Sequence, residues 1–183
     1  MSGLRKGGEL ESKATVRQRA VSPMLPQIRP AVPGDVPVIL GFIRGLATYE
    51  KLLHEVEATE EKLTATLFPS GNRPPAAECV LAFLNGQPAG FALFFSTYST
   101  FLAKPGLYLE DLFVEPGLRG RGIGRALLLY VARLAGARGC GRLEWTVLDW
   151  NEPAIRFYES IGARKMPDWR ICRLAGKSLS KLA

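Results

Sequence analysis

Arg119, Gly120, Arg121, Gly122, Ile123, Gly124 and Arg125 form the densest run of potential chemistry in this 183-residue chain. Glycines let successive backbone N–H groups turn into one concavity, arginines supply positive charge, and a helix starting just downstream adds the positive end of its dipole. That combination suits a pyrophosphate. The order is not the G-x-G-x-x-G fingerprint of dinucleotide folds, and no Gly-Lys-Ser/Thr ending marks a P-loop. What remains is Arg119-x-x-Gly122-x-Gly124, which on its own also fits a solvated turn. Carboxylates precede it at Glu110 and Asp111. Adjacent residues on a regular strand point to opposite faces, so only one of this pair is expected to face a ligand. His54 is the sole histidine and reads as a surface residue or helix-end cation. Cys79, Cys140 and Cys172 have neither disulfide-framework nor CxxC spacing, and no metal site is expected.

The elements that must position these groups follow from periodicity. Leu107 to Val114 is rich in apolar and aromatic residues and reads as a strand, closed by Pro116-Gly117. After the glycines, Leu127, Leu128, Val131 and Leu134 line one face of a helix over 125–138, stopped by Gly139 and Gly141. Upstream, Gln27 to Ala31 reads as a short strand. Asp35 then offers an N-cap to a helix ending near Tyr49, whose far end carries Glu50. A second helix is expected over 59–68. Cys79–Leu84 and Pro88–Tyr98 form a hairpin about Asn85-Gly86, and 99–106 is a loop. Downstream, 142–148 alternates as a strand, Asn151 caps a helix with Pro153 in its first turn, and 169–174 makes a last strand. On the helix after Asn151, Ala154, Phe157, Tyr158 and Ile161 share an apolar face, so Tyr158 also fits an ordinary core aromatic.

Composition supports one folded domain over 26–183, with residues 1–25 a disordered lead lacking apolar periodicity. No apolar run is long enough for a membrane span and no signal core precedes the domain, so a cytoplasmic location without membrane association is expected. The formal net charge of +7 invites a nucleic-acid reading, but residues 1–25 contribute +3 of it and the glycine loop three more arginines. With no RNA-recognition or zinc-finger signature, a basic nucleic-acid-binding protein stands only as an alternative.

Tyr108-Leu109-Glu110-Asp111, the Arg119–Gly124 loop, Asp149-Trp150-Asn151-Glu152-Pro153, Phe157-Tyr158 and Gly162-Ala163 together resemble the GNAT superfamily of N-acetyltransferases. Within it they are similar to the diamine (spermidine/spermine) branch, over about residues 27 to 175. The resemblance implies an α/β fold with a mixed, mostly antiparallel sheet whose fourth and fifth strands splay, flanked by helices. It implies acetyl-CoA as cosubstrate, without metal. The pantetheine arm would lie against Leu112, Phe113 and Val114, and the phosphates at Gly120, Arg121, Gly122, Ile123, Gly124 and Arg125 with Arg119. Asn151, Pro153 and Ala154 would stand beside the CoA chain.

The resemblance further implies Tyr158 as the acid that meets the leaving thiolate and Glu110 as the base, with Tyr49, Glu50 and Glu110 at the substrate amine. Where polyamine enzymes of this branch carry an acid in a Thr-Tyr-Asp-Pro loop, this chain reads Thr97-Tyr98-Ser99-Thr100. Ser99 therefore points away from long polyamines and toward the thialysine-type members, which act on small amino-acid side-chain amines. Members commonly form homodimers. The alternatives within the enzymes are acetylation of an aminoglycoside or of a protein N-terminus.

Overall fold

The computed structural model describes residues 25–182; apart from Leu25, the expected disordered lead lies outside them. The hairpin signal is realised directly. Strand β2 (Glu78–Leu84) turns through Asn85 and Gly86, whose φ angles of 54° and 75° are the left-handed pair that a tight hairpin needs, into β3 (Gln87–Ser99). Strand β1 (Gln27–Pro30) adds antiparallel to β2, and β4 (Lys104–Val114) adds antiparallel to β3. β3 and β4 each run further than expected, which shortens the 99–106 loop to Thr100–Ala103. A crossover through helix α3 (Ile123–Ala137) brings β5 (Leu143–Glu144) parallel to β4, giving the order β1-β2-β3-β4-β5.

Two apolar layers sandwich this sheet. Helix α1 (Val36–Tyr49) places Val36, Ile39, Leu40 and Phe42 on one face with Leu63 and Leu67 of α2 (Glu60–Leu67), over Leu81, Phe91 and Phe113. Phe42 stacks on Phe91 with ring centroids 5.7 Å apart. On the other face Leu127, Leu128 and Val131 of α3 cover Ala92, Phe94, Leu107 and Leu109, with Phe157, Tyr158 and Ile161 of α4 (Glu152–Ser160) and its exit packed alongside. Local caps act as expected for α2 and α4: the Thr59 hydroxyl accepts the Lys62 N–H and Asn151 Oδ1 accepts the Ala154 N–H. Asp35 instead precedes α1 without capping it. Its buried carboxylate takes the Val32 N–H and a bidentate Arg29 pair at 2.6 and 2.8 Å, and that pair holds it below the usual carboxylate range.

Three expectations about strands change. β5 spans two residues rather than 142–148, and 169–174 is no strand; instead a short helix α5 (Gly176–Ser180) follows. The third change is a bulge in β4. Leu93 pairs with Asp111 but Phe94 pairs with Leu109, so Glu110 is an extra residue. Leu109 therefore lies in the α3 layer while Phe113, four residues on, lies in the α1 layer, which a regular strand cannot do. Among the described residues no helix is long and apolar enough to cross a membrane.

Candidate active site

Beyond Leu107↔Leu143 and Tyr108↔Glu144, β4 and the chain after β5 part company, and a cavity of about 880 Å³ opens between them. Leu112, Phe113 and Val114 line one side and Trp145, Thr146, Val147 and Leu148 the other. The splay expected from the resemblance is thus present, and it begins where the bulge redirects β4.

At one end of the cavity lies the glycine loop. Gly120 and Gly122 have φ of 76° and 78°, a conformation that L side chains rarely adopt, and this curls the backbone ahead of α3. Arg119 N–H is the last before the helix to find a backbone acceptor, and Ala126 N–H, bonded to Gly122 O, is the next. Six consecutive N–H groups, from Gly120 to Arg125, thus have no acceptor among the described residues. A run of free donors at a helix N-terminus fits a pyrophosphate. Gly120, Gly122, Ile123, Gly124 and Arg125 line the cavity, whereas Arg121 is exposed and outside it. Arg119 lies over the Tyr49 ring at 4.4 Å and donates from Nε to Val114 O, its other side-chain N–H groups having no acceptor among the described residues.

Carboxylates also line the cavity: Glu50 at the end of α1, with Glu110 and Asp111 at the bulge. The extra residue breaks the regular alternation on which the expected divergence of Glu110 and Asp111 rests, and both residues line the cavity. Burial, then the negative charges of Glu110 and Glu50, push the Asp111 carboxyl up to about 6. Burial also raises Glu50 above its ordinary value. Asp111 is the functional candidate that the sequence hid, since a bulge is set by register with β3.

Tyr158 lines the same cavity. Its ring packs on Trp145 and Phe157 at centroid distances of 5.0 and 5.3 Å, and among the described residues the tyrosine hydroxyls that form hydrogen bonds are those of Tyr49 and Tyr108, not Tyr158. Burial, then Glu50, pushes the phenol up to about 12. Tyr49 is placed in the wall, but its hydroxyl is engaged, donating to Asn151 Oδ1 at 3.1 Å, and its ring packs on Trp150. That bond ties the end of α1 to the start of α4, where Asn151, Pro153 and Ala154 line the cavity.

Ser99 does not join the site. It is 2% exposed at the end of β3, accepts the Leu102 N–H through Oγ, and is absent from the cavity wall. His54 is exposed beside Glu55, away from the cavity. Cys79 is buried and its thiol is pushed up to about 12, chiefly by that burial, leaving it inert. Ile171 and Arg173, from the stretch expected to be a strand, line the cavity although they pair with no strand.

The sequence profile of the acetyltransferase (GNAT) family matches residues 39–163. An L-ornithine N5-acetyltransferase of Arabidopsis thaliana is 37% identical, with 87% of this chain and 88% of that protein covered. A thialysine N-epsilon-acetyltransferase of Bos taurus is 36% identical over 85% of this chain and 96% of its own length. Among solved structures, an integron cassette protein from the mobile metagenome of V. cholerae superposes with a TM-score of 0.70 at 27% identity, covering 87% of this chain and 98% of that one. Family profile, full-length relatives and fold agree with the splayed cavity and its glycine loop: the chain belongs to the GNAT family of N-acetyltransferases.

Proposed function

We propose that the protein transfers the acetyl group of acetyl-CoA to a primary amine of a small diamine or lysine-like amino acid, by direct attack in a ternary complex. The observation that carries this reading is one cavity holding unpaired N–H donors at its glycine loop, carboxylates at the β4 bulge and the Tyr158 phenol. The relatives named for ornithine and thialysine support a small amine with a flexible stem. When bound, the cosubstrate supplies the acetyl group as a thioester.

Transfer forms a C–N bond and breaks a C–S bond, so an amine that arrives as ammonium must lose one proton before attack and a second as the amide forms, while sulfur gains one. A lysine-like amine, with a pKa of roughly 10.4, arrives as ammonium. We assign Glu110, the more open of the adjacent carboxylates, as the base that takes its proton through water, with Glu50 and Asp111 holding the cation. A phenol pushed up to about 12 stays protonated at every working pH. We assign Tyr158 as the donor that meets the charge developing on sulfur and protonates it, the second proton leaving the acylated nitrogen then restoring the phenol. The same desolvation that raises the phenol raises a thiol beside it, which narrows the gap the proton must cross. The free N–H groups and Arg125 hold the phosphates, and the open edge of Leu112–Val114 offers backbone partners to an amide-bearing arm.

The experiment is thiol release from acetyl-CoA over a panel of L-ornithine, thialysine, 1,4-diaminobutane, spermidine, an aminoglycoside and a peptide N-terminus. Release with the small amines is expected. Release only with the aminoglycoside or the peptide overturns the substrate assignment. Tyr158→Phe should retain acetyl-CoA affinity while turnover falls about 10- to 1,000-fold, the range for losing one acid or charge-stabilising donor. We also propose a homodimer, supported by Met166, Trp169, Leu174, Leu179 and Leu182 standing exposed along the C-terminal segment. Sedimentation should give twice the 20.0 kDa chain mass, and a monomer at all concentrations overturns it.

A further inference from the structure

Three arginines line the cavity: Arg119 and Arg125, which belong to the glycine loop, and Arg173. Arg173 stands two residues beyond Ile171, which lines the same space, on a segment that no strand pairs. None of the ion pairs among the described residues includes Arg173, Glu50, Glu110 or Asp111. One cavity therefore holds three carboxylates and a separate guanidinium that do not neutralise one another. Opposite charges that line one cavity without pairing match a ligand that carries both charges. Trp145, Val147 and Ile171 give that cavity apolar wall, which suits a methylene stem between the two charged ends.

We propose that Arg173 is a specificity-determining residue that binds the α-carboxylate of an amino-acid substrate while the substrate's side-chain ammonium faces Glu50, Glu110 and Asp111. This rests on the acetyl-transfer reading above and narrows it from small amines in general to amines bearing their own carboxylate. The planar guanidinium fork matches a carboxylate with two parallel hydrogen bonds, which a decarboxylated diamine cannot use. A cosubstrate phosphate is the other anion within reach of this chemistry. The glycine loop already brings to the cavity five residues whose backbone N–H groups have no acceptor among the described residues, with Arg119 and Arg125 beside them, so a third arginine is not needed for the phosphates.

The test compares L-ornithine with 1,4-diaminobutane, its decarboxylated analogue, in the natural protein, Arg173→Gln and Arg173→Lys, at saturating acetyl-CoA. In Arg173→Gln the ratio of kcat/KM for ornithine to that for the diamine should fall about 10- to 100-fold, the scale of a lost charge-assisted pair. The loss should lie in the KM for ornithine, and Arg173→Lys should restore part of it. Arg173 is exposed, so folding should survive, which the melting temperature checks. An unchanged ratio overturns the assignment. A raised KM for acetyl-CoA with an unchanged ratio overturns it too, and names the phosphate as the anion held. Calorimetric binding of the two amines separates this inference from the reading beneath it. Loss of ornithine affinity alone in Arg173→Gln supports the carboxylate contact whether or not thiol is released. Absence of thiol release with every amine would sink the acetyl-transfer reading instead.

Discussion

Asp111 stands half-buried beside the residue inserted by the β4 bulge, in the wall of the cavity. Its carboxyl is pushed up to about 6 from an ordinary value of 3.8, first by burial and then by Glu110 and Glu50. In the unfolded chain it ionises near 3.8; folded, it holds its proton until about 6. Well below pH 3.8 both states are protonated and burial of the neutral acid costs little. As pH rises from 4 through 6 that advantage is lost, and above 6 the folded state carries an ionised, largely desolvated group at a cost of about 3 kcal/mol. Asp111→Asn should therefore melt several degrees above the natural protein at pH 8, at about 2 to 4 °C per kcal/mol, and together with it at pH 4. Equal melting temperatures at both pH values would show that the carboxyl is not penalised. A bound ammonium favours the ionised form, so the same variant should raise the amine KM. Glu50, Glu110 and Tyr158 were legible from the sequence as candidates because residue type and motif mark them. Asp111 was not, because alternation along one strand gives no sign of where a neighbour's register slips.

Among the elements, those specified by local chemistry were legible and those specified by a distant partner were not. Asn85-Gly86 announces its hairpin, Thr59 and Asn151 announce helix starts, and the apolar spacing of α1 and α3 announces their buried faces. The alternation of Leu143, Trp145 and Val147 also announces a strand, yet β5 stops at Glu144 because a strand needs a neighbour and β4 has diverged. Close approach of β3 to β4 is another non-local feature. A Cβ at Gly90 would lie 2.4 Å from Phe113 O and 3.1 Å from Val114 Cα, both backbone atoms that cannot swing aside. Gly90→Ala should push apart the β3–β4 pairing where β4 forms the cavity wall. Destabilisation of about 1 to 3 kcal/mol, the range for overpacking, is expected in urea unfolding, with a higher KM for acetyl-CoA. An unaltered unfolding midpoint would mean that the strands relax without cost.

At the scale of the whole molecule, a formal charge of +7 would, on the proposed function, face two substrates of opposite sign. Composition alone reads that sum as general anion affinity. Space resolves it: arginines gather at the glycine loop and carboxylates at the bulge of one cavity. The net positive field draws a polyanionic cosubstrate inward and repels a cationic amine, which only the local carboxylates attract. The range of each effect depends on salt, because charges are felt over about 30 Å at 0.01 M ionic strength but about 8 Å at 0.15 M. At low salt the full charge of the chain assists acetyl-CoA; near 0.15 M only the loop does. The amine experiences opposing changes, since salt screens both the long-range repulsion and the short-range attraction. The KM for acetyl-CoA should therefore rise about threefold or more between roughly 0.02 and 0.3 M KCl, while the KM for 1,4-diaminobutane moves less. Initial rates at saturating concentration of the other substrate measure both. A flat profile for acetyl-CoA would mean that its phosphates are held by the N–H groups of the glycine loop without help from the charge of the chain.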